Sequence, residues 1–266
     1  MNNKPTYSSR TLFGVFFASF GFIACRFLLT PIRIKVLTSL LDRETYGALT
    51  LISVTVSFLT LVGSIGSLEY MLRKLPGAPD GYQKGVFRVV LQYFGGLSVA
   101  MALVGAGALA VWQPATLRLG GGDLAACALM LVLTVHMIQR AYFLMARSEY
   151  VKSRLSQIFY AETWFLPLLL CFVWPWTLTA SHVLWIWVTW LALTMFMTRR
   201  WVSLAEVFRE PPPPSALKNI LSFGLPIFPM ILGEWLFRLI DQYVLLGLKG
   251  LSTVAVYALA VNIAMV

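Results

Sequence analysis

The sequence predicts an all-α membrane protein that crosses the bilayer several times. Hydrophobic residues make up 59% of the 266 positions and charged residues only 12%, whereas about a quarter of an ordinary soluble domain is charged. A chain this apolar cannot cover itself with polar surface, so lipid has to serve as part of its solvent. The apolar residues are gathered into long runs, and a spanning helix needs roughly 20 such residues.

Seven segments reach that length, and an eighth begins near residue 253. The seven cover residues 11–32, 46–68, 86–112, 122–146, 157–177, 181–198 and 219–246. The eighth is too short to cross a bilayer by Val266. The expected architecture is a six-helix N-terminal lobe followed by the first one and a half helices of a second lobe. Such a chain is either a fragment of a transporter with ~12 helices, which a repeated six-helix lobe would give, or a truncated gene product.

The longest polar connection divides these expected lobes. It covers residues 199–218, between a transmembrane lobe at 1–198 and the beginning of the next lobe at 219–266. Pro211 to Pro214 favour extended polyproline II structure and exclude a helix. The connection is either a stiff cytoplasmic loop or a spacer between two lobes.

A weak internal repeat favours the spacer. Aligning Tyr46 with Tyr257 also brings Phe13-Gly14 to within one residue of Phe223-Gly224. In both copies a long segment with a proline and an arginine precedes the tyrosine. The copies run in the same direction, which predicts a parallel repeat.

The net charge of +10 predicts membrane orientation better than nucleic-acid binding. Nucleic acid requires basic residues on a water-exposed face, whereas here they lie mostly between apolar runs. Thirteen lie in connections that would share a side with the N-terminus, and five in the opposite connections. The positive-inside rule therefore predicts a multi-pass protein with a cytoplasmic N-terminus and no nucleic-acid partner.

The sequence shows no signature of an enzyme, a cofactor or a metal site. Cys25, Cys127 and Cys171 lie inside apolar runs without CxxC spacing, so they are interpreted as small hydrophobic residues. The two histidines, His136 and His182, have no catalytic neighbours, and no phosphate-binding glycine motif is present. We expect neither catalysis nor a cofactor.

Charged residues inside the apolar segments are candidate functional groups, because each costs ~2.5–3.5 kcal/mol at the bilayer centre. Arg26 and Arg33 are seven residues apart with Thr30 between them, which places all three on one face of a helix. For Arg33 the alternative is an interfacial side chain that reaches water.

Two further groups repeat this pattern. Glu234, Arg238 and Asp241 lie at positions i, i+4 and i+7, so they form either a self-neutralising ladder or a site where Arg238 shares its charge with a passing anion. Arg140 lies deep in the fourth segment, and Glu162 in the next segment is its expected partner. Cationic groups on several helices predict a cavity that attracts an anion, for which phosphate suits the guanidinium fork. Ion channels also line pores with arginine, so this pattern does not distinguish a transporter of an anion from an ion channel.

Two stretches of the sequence resemble a known family. The first runs from Arg26 to Leu40-Leu41-Asp42-Arg43-Glu44-Thr45-Tyr46-Gly47 and continues to Leu61–Leu68. The second is Phe223-Gly224-Leu225-Pro226, followed by Asp241 and Val256-Tyr257-Ala258. They are similar to the polysaccharide-export branch of the multidrug/oligosaccharidyl-lipid/polysaccharide exporter superfamily, the O-antigen and lipid-linked oligosaccharide flippases. Gln242 departs from the arginine that this family usually has after the aspartate.

The resemblance implies a flippase with two six-helix lobes and a cationic central cavity. It would move an anionic polyprenyl-pyrophosphate-linked oligosaccharide across the bacterial cytoplasmic (inner) membrane, for O-antigen, capsule or exopolysaccharide synthesis. Arg26, Arg33, Arg140 and Arg238 would bind pyrophosphate, and Glu162, Glu234 and Asp241 are candidates for coupling or charge pairing. Expected partners are the lipid-linked substrate, the bilayer and other polysaccharide-assembly membrane proteins.

Three alternatives remain at this point. A drug/cation antiporter of the same superfamily would favour an acidic, aromatic cavity. A membrane-embedded polysaccharide polymerase or transferase would need a large extracytoplasmic loop. A non-catalytic scaffold of an export complex would need neither.

Overall fold

The computed structural model describes residues 9–111, 120–173 and 178–264. These residues are almost entirely helical and include no strand, which confirms an all-α polytopic membrane protein. Five helices in these ranges are long and apolar enough to cross a membrane. They are Arg43–Ser64, Asp80–Gly107, Gly121–Ala146, Ala180–Arg200 and Ala216–Phe237.

The first helix is longer than the sequence predicted. Helix α1 covers Ser9–Leu40, eight residues beyond the expected end at 32, and Pro31 lies inside it. Arg26, Arg33 and Lys35 lie in its second half. Helix α2 covers Arg43–Ser64 and begins at Asp42, whose side chain accepts a hydrogen bond from the Thr45 backbone N–H.

The next elements lead from α2 into a second span and reverse the chain. Ile65 and Gly66 adopt left-handed backbone angles, and the short helix α3, Ser67–Lys74, follows them. Helices α4, Asp80–Val89, and α5, Gly95–Val111, are joined without a break by a π-helical turn at Val90–Phe94.

Helices α6, Gly121–Ala146, and α9, Ala180–Met197, match their predicted segments closely. They begin at the same end of the bundle, where the Ser181 hydroxyl donates a hydrogen bond to the Asp123 carboxylate. Both spans therefore run in the same direction, as the predicted alternation of connections requires.

The fifth predicted segment, 157–177, is not one continuous helix. Helix α7, Tyr150–Gln157, passes into a π-helical turn at Ile158–Glu162, and a 3₁₀ turn at Leu166–Leu169 leads into α8, Leu170–Val173. Pro167 lacks the N–H that a continuing helix needs. The helical ladder is interrupted at Thr163–Phe165, although the composition stays apolar throughout.

The connection at 199–218 is folded against the bundle. It contains a short helix α10, Leu204–Arg209, and Arg88 Nη1 donates hydrogen bonds to the carbonyl oxygens of Phe208 and Glu210 at 3.0 Å. Lys84 Nζ lies 2.8 Å from both Asp80 and Glu206 carboxylate oxygens. The hydrogen bond from Lys84 holds the pKa of the exposed Glu206 carboxyl below its ordinary value.

This polar network gathers the connections that the sequence placed on one side. Arg147, at the end of α6, reaches Asp80 at 2.7 Å and Glu149 at 3.2 Å. Residues from the connections before α4, before α7 and around α10 therefore meet at the same end of the bundle. The alternation of sides follows from this arrangement, while a cytoplasmic location of that end stays a prediction.

Two close helix contacts position the last helices, α11, Ala216–Lys249, and α12, Leu251–Ala264. Gly224 of α11 lies against the backbone of Ile65 and Gly66, and Gly47 of α2 lies against the Leu251 carbonyl. At both places a Cβ would overlap backbone atoms. Small residues allow helices in membranes to approach this closely. Gly47 and Gly224 belong to the two stretches on which the family resemblance depends.

The buried side chains of the described residues form two large clusters, one towards each end of the bundle, and a small third one between α2 and α12. One joins the beginnings of α2, α6 and α9 and includes Trp164 and Phe165. The other joins α3, α4 and the beginning of α11, where the Phe87 and Phe143 rings stack at 4.1 Å. Each of the cavities described below is lined by residues of α1 or α11.

We predict that Gly224→Ala destabilises the protein by about 1–3 kcal/mol, because a new Cβ overlaps backbone that cannot move away cheaply. Gly233→Ala on the same helix is the matched control, since a Cβ there meets nothing within 4 Å, and it should be neutral or slightly stabilising. Thermal unfolding in detergent measures both. Equal midpoints for the two variants would contradict the proposed close contact.

Candidate functional site

The break in the fifth segment holds a buried carboxylate. Glu162 is the last residue of the π-helical turn, and its side chain is 7% exposed. Arg26 Nε lies 3.5 Å from one carboxylate oxygen and Arg33 Nη1 lies 3.3 Å from the other. Two arginines of α1 that are two helical turns apart therefore share a single carboxylate. Isolated π-helical turns are frequent at functional sites in proteins.

Arg33 also stabilises the irregular backbone next to Glu162. Its Nη1 donates a hydrogen bond to the Ala161 carbonyl at 3.2 Å. On the other side of the turn, Trp190 Nε1 donates to the Phe159 carbonyl at 2.8 Å. Carbonyls released from a helical ladder at membrane depth need such partners because no bulk water is present. Arg33 thus has a structural role in addition to any role in binding.

These residues line a cavity of about 460 Å³, here called the cationic cavity. It lies between α1, α2, α6, the broken fifth segment, α11 and α12. Its charged lining residues are Arg26, Arg33 and Glu162, which leaves one formal positive charge in excess. The Trp164 and Trp187 rings, stacked at 4.1 Å, form part of the wall.

A smaller groove of about 210 Å³ adjoins the cationic cavity between α1 and α12. Arg26, Thr30 and Arg33 all line it, as their helical spacing predicted. The Arg26 side chain is 64% exposed, and the apolar side chains of Phe22, Ile23 and Phe27 lie beside it. The groove therefore combines a cationic edge with an apolar one.

Polar side chains also lie between α2 and the last two helices. Tyr46 of α2 and Asn262 of α12 both line the cationic cavity. The Thr55 hydroxyl of α2 and the Tyr243 hydroxyl of α11 are 2.8 Å apart. This hydrogen bond connects α2 to α11 in addition to the glycine contacts.

Arg140 does not pair with Glu162, contrary to the sequence prediction. It is 3% exposed, and its Nε and Nη1 atoms have no hydrogen-bond partner among the described residues. Helix α6 presents Thr134 and Ile138 to the cationic cavity. Arg140 comes two positions after Ile138 and therefore lies on another face of the helix. Glu162 is taken by the arginines of α1 instead.

The acids of α11 lie beside the cavity face and not on it. Ile231 and Trp235 line one cavity and Leu239 and Gln242 the next, which together form one face of the helix. Glu234 is exposed and lines none of the described cavities. Asp241 is half-buried and also lines none of the described cavities. Its Oδ1 has no hydrogen-bond partner among the described residues. The side chain of Arg238 lies outside the described part of the chain.

Gln242 is a polar residue of α11 on the cavity face, where the resembled family usually has an arginine. It is 3% exposed and lines the cationic cavity. Its Oε1 has no hydrogen-bond partner among the described residues. Positions 231, 235, 239 and 242 have the spacing of one helix face, which is the signal for Gln242 in the sequence. The charges at 234, 238 and 241 indicate the adjacent face of α11 instead.

Comparison with known proteins adds no assignment. No family model matches the chain, and neither the curated proteins nor the solved structures include a significant match. The described residues contain no group of three or more His, Cys, Asp and Glu side chains that could hold a metal ion.

We predict that Glu162→Gln lowers the free energy of unfolding by about 3 kcal/mol, because it leaves the largely buried Arg33 without its counter-charge. Arg33→Gln should lower the free energy of unfolding less in the Glu162→Gln background than in the wild type. The expected difference, the coupling energy, is about 1–3 kcal/mol. Chemical or thermal unfolding of the four proteins measures the cycle. Additive losses would mean that the two groups do not interact energetically.

Proposed function

We propose that this protein is a flippase that moves an anionic, polyprenyl-pyrophosphate-linked oligosaccharide across the bacterial cytoplasmic membrane for polysaccharide biosynthesis. The observation that carries the proposal is the sharing of Glu162 by Arg26 and Arg33 on the wall of the cationic cavity. The protein would act as a transporter and not as an enzyme. Its resemblance to the polysaccharide-export branch supports the same substrate class.

The charge balance of the cavity favours an anion. Two guanidinium groups face one carboxylate, so an entering phosphate can take over donors of Arg26 while Glu162 keeps its contact with Arg33. Guanidinium offers paired N–H groups that match the oxygens of phosphate. Near Arg33, whose side chain is only 22% exposed, this attraction is stronger than in water.

The groove beside the cationic cavity suits a substrate with a lipid tail. Phe22, Ile23 and Phe27 line it together with Arg26, and Ile23 and Phe27 are exposed. A polyprenyl chain could lie along this apolar edge while its pyrophosphate reaches the arginines. An anion without an apolar tail would gain nothing from such an edge.

The rival antiporter function has one observation in its favour, since Tyr46, Tyr160, Trp164 and Trp187 make the cavity aromatic. Aromatic faces attract organic cations. Glu162, however, is the only acid on the wall of this cavity among the described residues, and two arginines already surround it. A cation would have to displace both, so the anionic substrate is the better match.

We predict that Arg26→Lys and Arg33→Lys each weaken binding of undecaprenyl pyrophosphate about tenfold, because lysine keeps the charge but loses the planar fork. Quenching of tryptophan fluorescence in nanodiscs measures the affinity, since Trp164 and Trp187 lie on the cavity wall. Arg43→Lys is the matched control, because Arg43 is exposed and lines none of the described cavities, and it should bind like the wild type.

Equal affinity of all three variants would contradict the proposal. Tight binding of a lipophilic cation such as tetraphenylphosphonium, abolished by Glu162→Gln, would favour the antiporter instead. Unfolding midpoints recorded for the same samples separate a loss of binding from a loss of folded protein. Absence of binding to either ligand would favour the scaffold.

A further inference from the structure

A second cavity of about 540 Å³ lies next to the cationic cavity. It is lined by residues of α2, α3, α6, α7, the π-helical turn after α7 and the first half of α11. Three residues, Ser57, Ile138 and Tyr160, line both cavities, so the two spaces meet there. None of the residues that the sequence singled out as candidate sites lines this second cavity.

Two buried polar groups on its wall lack partners. Thr60 is 7% exposed, and its hydroxyl oxygen has no hydrogen-bond partner among the described residues. The same is true of Trp235 Nε1 on α11. A buried donor or acceptor without a partner costs about 1–3 kcal/mol. Both residues line the second cavity, so a molecule inside it can satisfy them.

The charge of the second cavity differs from that of the first. Its two charged lining residues, Glu69 and Arg154, have opposite signs. Arg154 is also occupied, because its Nη1 donates to Gln157 Oε1 at 2.8 Å and its guanidinium lies 4.9 Å from the centre of the Phe22 ring. The wall therefore has no excess charge, and this favours a neutral ligand over an ion.

The remaining wall combines aromatic rings with hydroxyl and amide groups. Trp235 is held by Phe58, whose ring centre is 4.7 Å from its own, and Tyr142 and Tyr160 provide two more rings. Further polar lining comes from Ser57, Ser64 and Gln157. Aromatic surfaces with a few placed donors and acceptors suit a rigid polyhydroxylated ring, since its C–H faces pack on aromatics and its hydroxyls need hydrogen bonds.

We propose that the second cavity is a carbohydrate subsite, which takes the sugar residues next to the pyrophosphate. The junction at Ser57 and Tyr160 would let one molecule occupy both spaces, with its pyrophosphate in the cationic cavity. The placement relative to the pyrophosphate rests on the proposed function. The saccharide chemistry rests on Thr60, Trp235 and the neutral wall.

The test compares undecaprenyl pyrophosphate with the same lipid carrying one N-acetylglucosamine, each bound to the purified protein and quantified by native mass spectrometry. Thr60→Val removes the hydroxyl and keeps the side-chain shape, and Trp235→Phe removes the indole N–H but keeps an aromatic ring. Each should weaken binding of the glycosylated lipid three- to tenfold and leave the bare lipid unchanged. Thr38→Val and Trp185→Phe are matched controls, because both side chains are exposed and outside the described cavities.

The two proposals fail in different ways. If Arg33→Lys weakens both lipids while Thr60→Val and Trp235→Phe change neither, the flippase proposal stands and the subsite is wrong, because water then satisfies the orphan groups. If the wild type binds neither lipid, the flippase proposal is wrong. Phosphate-free chitobiose then decides the subsite by saturation-transfer NMR. A signal lost in Thr60→Val and Trp235→Phe supports a saccharide site, and no wild-type signal overturns it.

Discussion

The contact between Glu162 and the two arginines of α1 is the interaction on which the site depends. A carboxylate buried at membrane depth is tolerated only with counter-charge, and Arg26 and Arg33 supply it. The carboxylate lies at the break in the fifth segment, where Arg33 also accommodates a released carbonyl. One guanidinium group therefore connects α1 to the irregular turn, and this connection forms the floor of the cationic cavity.

The opposite wall depends on close backbone contacts and not on charge. Gly224 against Gly66 and Gly47 against Leu251 bring α11 and α12 near α2, and the hydroxyls of Thr55 and Tyr243 add a hydrogen bond. The two walls are therefore held by different interactions. Salt bridges from α1 reach Glu162 on one side, and backbone packing joins α2 to α11 and α12 on the other.

Much of the fold could be predicted from the sequence, because long apolar runs, capping residues and polar connections are local signals. The same holds for the shared face of Arg26, Thr30 and Arg33, which follows from helical spacing alone. The prediction of a continuous fifth helix is wrong at Glu162, because the composition remains apolar through the break and Pro167 is its one local signal. Consecutive helices predict Arg140 as the partner of Glu162 across the hairpin, whereas the partners lie on α1 and are brought there by tertiary packing.

The most direct test of the central claim is a distance measurement between the arginines and a bound phosphate. Solid-state NMR of arginine-¹⁵N-labelled protein with undecaprenyl pyrophosphate reports ¹⁵N–³¹P proximity in the bilayer. The account predicts guanidinium signals dephased by phosphorus, and their loss in Arg26→Gln/Arg33→Gln. Absence of dephasing in the wild type at saturating lipid, or dephasing that persists unchanged in the double variant, would contradict it.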